Sequence, residues 1–522
     1  MFSYSKFEHD YKLSEFKYEE PISKDFRVIV NGEEIPVYTC RISRIPFNRP
    51  FPGYQRPIDQ TEEASFVNIV SDEEIKIEVI INGEYEKVMI RPYAKNIAFE
   101  DNGGKVSFIL KDEAQLVFAT DDLHNPLYIF NSKPIECENP DSVAYYFGPG
   151  VHMPGKIVLK SNESVYLHKD ALVFGAVYAK DAENIRVYGN GLFDDAWEGR
   201  FFIHCYEGFP CGNIKFYDCK NVSVEGVLFR NSSIWCVNLF HCFDSVLDNI
   251  KVFGQWRYNN DGVDIVNSKN ITVKNSFIHS FDDAITIKGI DRYAETDNEN
   301  ILSENCVLWC DWGKTLEIGL ETQCRRYRNI VFRNCDIIRA GNTVLDIQNG
   351  DCAEVSDIIF ENINVEYNLC DKRPRIQQSE EQEYDAYDSI HVPALIKFGN
   401  PRFREAYAND TWKVPEKGAE LDLTGVEEAG IKNIVVNNIN IYYDERIPLK
   451  NIANEMPYYD IRENEKDGDR YAGIFIRSVV DGVRFRDISV SNITVNGERA
   501  TKDDFIIDVS DTDNFTFDGE EL

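Results

Sequence analysis

Between Phe26 and Phe130, apolar and polar positions alternate in short runs (FRVIV, FVNIV, IKIEVII, KVMI, VSFIL and LVFA) separated by Gly, Asn and charged residues. A period of two sends successive side chains to opposite faces of a strand, so these runs predict an antiparallel β-sandwich. After Gly148-Pro149-Gly150 the pattern changes to β-branched runs closed by Asn or Gly: NIRVYG, NVSVEG, SVLDN, NITVKN, NILSEN, NIVFRN, DIIFEN and NIVVNN. The closing positions are Gly189, Gly226, Asn249, Asn275, Asn305, Asn334, Asn362 and Asn438, at intervals of 37, 23, 26, 30, 29, 28 and 76. The middle intervals match one turn of a parallel β-solenoid, where each coil needs the next to bury its Ile and Val stripe and pair its backbone. Asn suits the bend because it tolerates left-handed backbone and its amide can bond to Asn in neighbouring coils.

The predicted fold is therefore all-β. A sandwich over residues 1–135 covers the open edge of the first coil, and a parallel β-helix follows over 136–522. The 76-residue interval reads as a coil interrupted by loops near 370–425, with a further loop near 445–470, polar and aromatic insertions of the kind that wall a cleft.

Composition narrows the function classes. The chain has 522 residues, 43% hydrophobic and 13% aromatic, enough to fill more than one core. With 56 Lys plus Arg against 89 Asp plus Glu the net charge is −33, which opposes nucleic-acid binding and attachment to anionic membranes. No apolar run approaches the roughly 18 residues that cross a bilayer, and the start MFSYSKFEHDYK lacks the order of a secretory signal. These features predict a cytoplasmic protein, the alternative being a secreted one whose signal peptide has been removed. The 13 cysteines are scattered, which reads as reduced thiols packed in the core. Cys306, Cys310, Cys324 and Cys335 lack the paired spacing of a zinc site, no EF-hand loop is present, and no Gly-rich segment has a Walker or dinucleotide pattern. No cofactor and no metal are expected, and oligomeric state is not legible.

The chemical signal is acidic. The segment Asn259-Asn260-Asp261-Gly262-Val263-Asp264-Ile265 precedes Ser280-Phe281-Asp282-Asp283-Ala284-Ile285-Thr286-Ile287-Lys288-Gly289, with Asp261 21 residues before Asp282. That is close to one coil, and adjacent coils lie about 4.8 Å apart, so the three aspartates fall on one face. Alternation turns Ile285 and Ile287 inward and Ala284, Thr286 and Lys288 outward, but would also turn Asp261 and Asp283 inward. The aspartates must therefore occupy bends, with Gly262 supplying backbone freedom. An inverting glycosidase needs one protonated carboxyl to donate to the leaving oxygen and a carboxylate to activate water, about 6.5–9.5 Å apart. Crowded carboxyls divide those roles, since repulsion raises one pKa while another stays charged. A structural cation held by the same residues is the competing reading.

These motifs and the coil rhythm resemble the right-handed parallel β-helix glycoside hydrolases, especially the family 28 polygalacturonases, and more faintly the family 49 dextranases, over roughly Tyr145 to Asn496. The resemblance implies that Asp282 is the acid and that Asp261 and Asp283 activate water in a single displacement. Gly313-Lys314-Thr315-Leu316-Glu317-Ile318-Gly319 stands where the family has Gly-His-Gly-Leu-Ser-Ile-Gly, so Lys314 replaces a supporting histidine. Val344-Leu345-Asp346 stands in place of the Arg-Ile-Lys substrate clamp, and Asp346 would repel a uronate. The expected substrate is accordingly a neutral oligo- or polysaccharide or chain end, with pectic oligosaccharides as the alternative. A noncatalytic glycan-binding β-helix and a polysaccharide lyase are further alternatives.

Trp256 and Trp312 offer flat faces for stacking on sugar rings, against a competing reading as core. Arg257, Lys314, Glu317 and Asp346 are candidates to orient substrate or the aspartates. His279, three positions before Asp282, and His204 are candidate supports.

Overall fold

The computed structural model describes residues 2–7, 19–44, 58, 61–196, 212–351, 353–367, 369–370, 377–379, 382–383, 389–390, 393–400, 430–443, 473–478 and 484–522. Most of the insertions anticipated near 370–425 and 445–470, and His204, lie outside the described residues.

The N-terminal runs form two facing sheets. Phe26–Val30, Ile75–Ile81 and Lys105–Leu110 are central to a five-stranded sheet, and Thr61–Val70, Ala114–Thr120 and Leu127–Ser132 to a six-stranded one. Their inward positions, among them Val28, Ile77, Val79, Val106, Phe118 and Ile129, make one core. Pairing is antiparallel except between Leu127–Ser132 and Thr61–Val70, which run parallel.

From Tyr145 onward the chain winds into a right-handed parallel β-helix whose strands pair with those one coil ahead. Ile271 faces Ile301, which faces Ile330, then Ile358, Ile434 and Ile488, so one inward column is filled coil after coil by the same residue. The bends follow the expected rule: Asn249, Asn275, Asn305, Asn334, Asn362 and Asn438 all have φ between 52° and 58°, and Gly189 and Gly226 are also at positive φ. Asn305 donates to Asn275 at 3.2 Å and Asn362 to Asn334 at 3.1 Å. Asn438 reaches Asn362 at 2.7 Å, so the 76-residue interval spans one coil and its insertion. A second ladder runs at the opposite end of the same strands, Asn221 donating to Asn184 and, farther along, Asn329 to Asn300, Asn300 to Asn270 and Asn270 to Asp244.

The sandwich lies along the flank of the β-helix rather than over its first edge alone. Outward-facing Phe253, Phe277 and Trp309 on successive coils meet Phe66, Tyr128 and Phe130, with ring centroids 4.9 Å apart for Phe66 and Phe253 and 5.1 Å for Phe130 and Phe277. The contact extends from Asn190, whose carbonyl accepts from Asn68, to Glu366, which is ion-paired with Arg91. The apolar surface of one flank, not a strand edge, is what the sandwich buries.

Candidate active site

The aspartates sit at bends between the third strand of one coil and the first strand of the next. Asp261 precedes Val263–Val266, and Asp282 and Asp283 follow Phe277–Ser280. Left-handed Asn259, with φ 54°, turns the first bend. The role expected of Gly262 is corrected: its φ is not in the left-handed range, and the residue is small because a Cβ would meet Ile278 Cγ2 at 2.3 Å and the Ala284 carbonyl at 2.4 Å. Ala284 likewise packs into the core rather than outward.

The three carboxyl groups converge and are nearly enclosed, with exposures of 1% at Asp261, 3% at Asp282 and 6% at Asp283. Lys288, a buried residue, ties two of them together: its Nζ is 2.8 Å from Asp261 Oδ2, 2.9 Å from Asp264 Oδ1 and 3.7 Å from Asp283 Oδ2. Asp282 Oδ2 accepts from the Asn259 amide at 3.2 Å, and its Oδ1 accepts from the Asp283 N–H at 3.1 Å. The next coil closes the site, since a Cβ on Gly313 would lie 2.5 Å from Asp283 Oδ1 and 2.6 Å from Asp282 Oδ1.

Lys314 binds Asp283 twice. Its backbone N–H donates to Oδ1 at 3.0 Å, and its Nζ is 3.7 Å from Oδ1 and 3.2 Å from Glu317 Oε1. Burial by itself would push the Asp283 carboxyl up, but Lys314, Lys288, a hydrogen bond from Glu317 and the Lys314 amide together hold it below the usual carboxylate range. Asp261 is pushed up, by burial first and then by its carboxylate neighbours, with Lys288 opposing. Burial also raises Asp264 to about 7, again against Lys288, and Asp261 and Asp264 share a hydrogen bond. Glu317 rises well above its ordinary value through burial and the neighbouring Asp283 charge. The site thus separates an ionised carboxylate, Asp283, from proton-holding carboxyls around it, the division that acid–base chemistry requires.

The remaining sequence candidates divide. Glu317 and Asp346 face each other on adjacent coils, both fully buried, and Gln348 donates to Asp346 at 2.6 Å and to Glu317 at 3.3 Å. Trp312 is buried against Phe281 and Tyr258. Arg257 lies over the Trp256 ring at 5.3 Å and donates to the Ser232 carbonyl, both residues being almost buried. His279 turns the other way: Nδ1 is 2.6 Å from the sandwich's Tyr128 hydroxyl, Nε2 is 3.1 Å from Asp311, and the ring stacks on Trp309. It therefore ties the sandwich to the coil instead of facing a sugar. Sequence reasoning missed Lys288 and Asp264 as site residues. Their outward parity was visible, but alternation does not reveal that outward side chains here are enclosed by neighbouring coils. Among the described residues no group of three or more His, Cys, Asp or Glu is arranged to hold a metal ion.

Comparison with known proteins agrees with this geometry. Residues 155–374 match the model of glycosyl hydrolases family 28, a narrower span than the resemblance drawn from the motifs. An exopolygalacturonase of Cochliobolus carbonum is 26% identical over 31% of this chain and 35% of its own length. Polygalacturonase-2 of Solanum lycopersicum is 25% identical over 42% of this chain and 50% of its own. The chain spans between about a third and a half of the length of the curated relatives it matches. These relatives are secreted enzymes, which overturns the cytoplasmic expectation. Among solved structures, Dex49A from Penicillium minioluteum superimposes with a TM-score of 0.63 and 13% identity, covering 95% of this chain and 94% of its own, a likeness of fold that takes in the sandwich as well as the coil. Over the coils that carry its aspartates the chain is similar to the family 28 glycosyl hydrolases, and over nearly its whole length it shares the fold of Dex49A.

Proposed function

We propose that this protein hydrolyses O-glycosidic bonds of pectic oligo- or polysaccharides by a single displacement with inversion. One observation carries the reading: aspartates from consecutive coils meet at one enclosed point, with one carboxylate held ionised beside others that retain protons. Asp282 donates a proton to the leaving oxygen, while Asp283, already charged, draws the proton from water on the opposite side of the ring, joined by Asp261 once it has ionised. Lys314 borders this point and orients the sugar, with Glu317 and Asp346 behind it, while Trp256, Arg257 and Trp312 are packed into the walls of the neighbouring bends.

The preference for a neutral glycan gives way to the pectic alternative. Its premises were the missing Arg-Ile-Lys clamp and the negative charge of Asp346 in its place. That carboxyl is fully buried, burial raises it to about 6 against the pull of Lys314, Gln348 and Lys397, and Lys397 is its partner on the following coil. A largely protonated, enclosed Asp346 does little to repel a uronate in mildly acidic solution. The sequence relatives named exopolygalacturonase, rhamnogalacturonase and polygalacturonase support the same substrate class.

The test is a panel of oligogalacturonides, rhamnogalacturonan and neutral glucans, read by product mass and ultraviolet absorbance. New reducing ends from a pectic substrate, abolished in Asp282→Asn, support the proposal. Unsaturated products would identify a lyase, and binding without cleavage a noncatalytic glycan-binding protein.

A further inference from the structure

The position of Lys288 calls for an explanation that burial does not supply. A fully buried ammonium is expensive to desolvate, and its companions here outnumber it. It stands between three carboxyls, Asp261 and Asp283 on two consecutive bends and Asp264 on the strand Val263–Val266, with the Trp235 ring 4.1 Å from Nζ on the remaining side. The residue lies in the strand Ile285–Gly289, just after the Asp282-Asp283 bend, and pairs with Val266 of the preceding coil. Its own backbone therefore fixes where the ammonium stands relative to both bends.

We propose that Lys288 is a positioning residue for the hydrolytic reaction, gripping the water-activating carboxylates of two consecutive coils at a set separation and keeping Asp261 able to ionise. The inference rests on the functional reading above. Geometry gives Lys288 three effects. It draws Asp261 Oδ2 and Asp283 Oδ2 toward one point, so that a water between the two bends meets both. It divides its charge between Asp261 and Asp264, which leaves Asp264 as the competitor that governs how much of that charge Asp261 receives. It also leaves Asp283 with a second cation, Lys314, on its other oxygen, so the two bases are not equally dependent on Lys288. Asp283 stays charged with either lysine near it, whereas Asp261 has Lys288 as its neighbouring cation and is crowded by Asp264, Asp282 and Asp283. Glu321 on the strand Lys314–Thr322 is the further acidic group acting on Lys288. Asp261 is thus the less acidic of the two bases, and its ionisation sets the acid limb of the rate profile.

The sign of each perturbation follows. Asp264→Asn removes the carboxyl that competes for the ammonium and leaves Lys288 to Asp261 and Asp283, so Asp261 ionises at lower pH and the acid limb of kcat/KM moves down. Adding Lys288→Met to that variant removes the cation, so Asp261 ionises at higher pH and the limb moves up by about one to two pH units relative to Asp264→Asn alone. Pairing the two substitutions avoids stranding Asp264 without its counter-ion. A purely structural lysine would change thermal stability and the amount of folded enzyme without moving the limb.

The experiment is the pH profile of kcat/KM on a cleaved pectic oligosaccharide for the full-length wild type, Asp264→Asn, Lys288→Met/Asp264→Asn and Asp282→Asn, with folding checked by circular dichroism. Shifts of opposite sign in the two Asp264 variants support the proposal. An Asp264→Asn limb that stays in place or moves up overturns it, including where the double variant does not fold. Asp282→Asn separates the two levels: normal hydrolysis by that variant sinks the functional reading itself, whereas an inactive Asp282→Asn alongside unmoved limbs sinks only the role of Lys288.

Discussion

Replacing Gly313 by alanine puts one methyl group against both members of the aspartate pair. The new Cβ would lie 2.5 Å from the Asp283 N–H nitrogen and Oδ1 and 2.6 Å from Asp282 Oδ1, where ordinary contact begins near 3.4 Å. Something must withdraw by roughly 0.9 Å, and backbone pairing limits the choice, because the Ala284 N–H is held by the Lys314 carbonyl at 2.8 Å and the Trp312 N–H by that of Phe281 at 2.8 Å. The carboxylates can turn aside, but the Asp283 nitrogen belongs to the backbone, so the bend that carries the pair must shift with them. A displacement of about 1 Å in a catalytic group costs on the order of 10²-fold in rate, about 2.7 kcal/mol of barrier. The expected result is a fall in kcat of about 10²-fold with a loss of thermal stability from the displaced bend. Gly148→Ala is the control, because a Cβ there meets only Tyr146 Cε1, at 3.4 Å. Steady-state kinetics on one oligosaccharide, with melting curves on the same samples, measures both. A folded Gly313→Ala enzyme with kcat within about threefold of wild type would refute the claimed closeness of this coil to the aspartates.

Three further outcomes follow from the same structure. Asp346 ionises near 6 when folded and near 3.9 unfolded, so the folded state holds the extra proton between these values and stability from this group falls as pH rises through that window. Asp346→Asn should remove about 3 kcal/mol of that fall, read as a flatter dependence of urea stability on pH from 4 to 7. Tyr128→Phe leaves His279 Nδ1 without its 2.6 Å partner in a dry interface, and should cost about 1–3 kcal/mol in chemical denaturation. At Asn305, with φ 56°, glycine should be better tolerated than alanine by about 1–2 kcal/mol, because only alanine pays the left-handed penalty; equal losses would mean the ladder bond, and not the backbone, dominates.

The β-helix was legible because one coil is one sequence period: the Ile column and the Asn bends recur at the same offsets that stack them. The aspartate triad was legible for the same reason, since a spacing near one coil converts directly into proximity. What escaped were facts that depend on how separate surfaces close. Lys288 read as an outward side chain, and only the wrapped neighbours make it a buried ammonium among carboxylates. His279 sat beside the acidic motif in sequence, yet strand alternation sends it to the flank, where Tyr128 waits. The sandwich's lateral seat had a faint signal in large aromatics at outward positions, Phe253, Phe277 and Trp309, but a sequence period says nothing about what covers them. Asp346 was read by its charge in isolation, whereas burial, which no motif reports, decides its protonation.

The central claim is that water attacks once, from the side opposite the departing sugar, between carboxyls delivered by successive coils. Proton NMR of the newly released reducing end, recorded within seconds of adding enzyme to an α-linked oligogalacturonide, tests it directly. The β-anomer should appear first and then equilibrate toward the α-form, and Asp282→Asn should release neither. Initial appearance of the α-anomer would mean a covalent double displacement and would contradict the account.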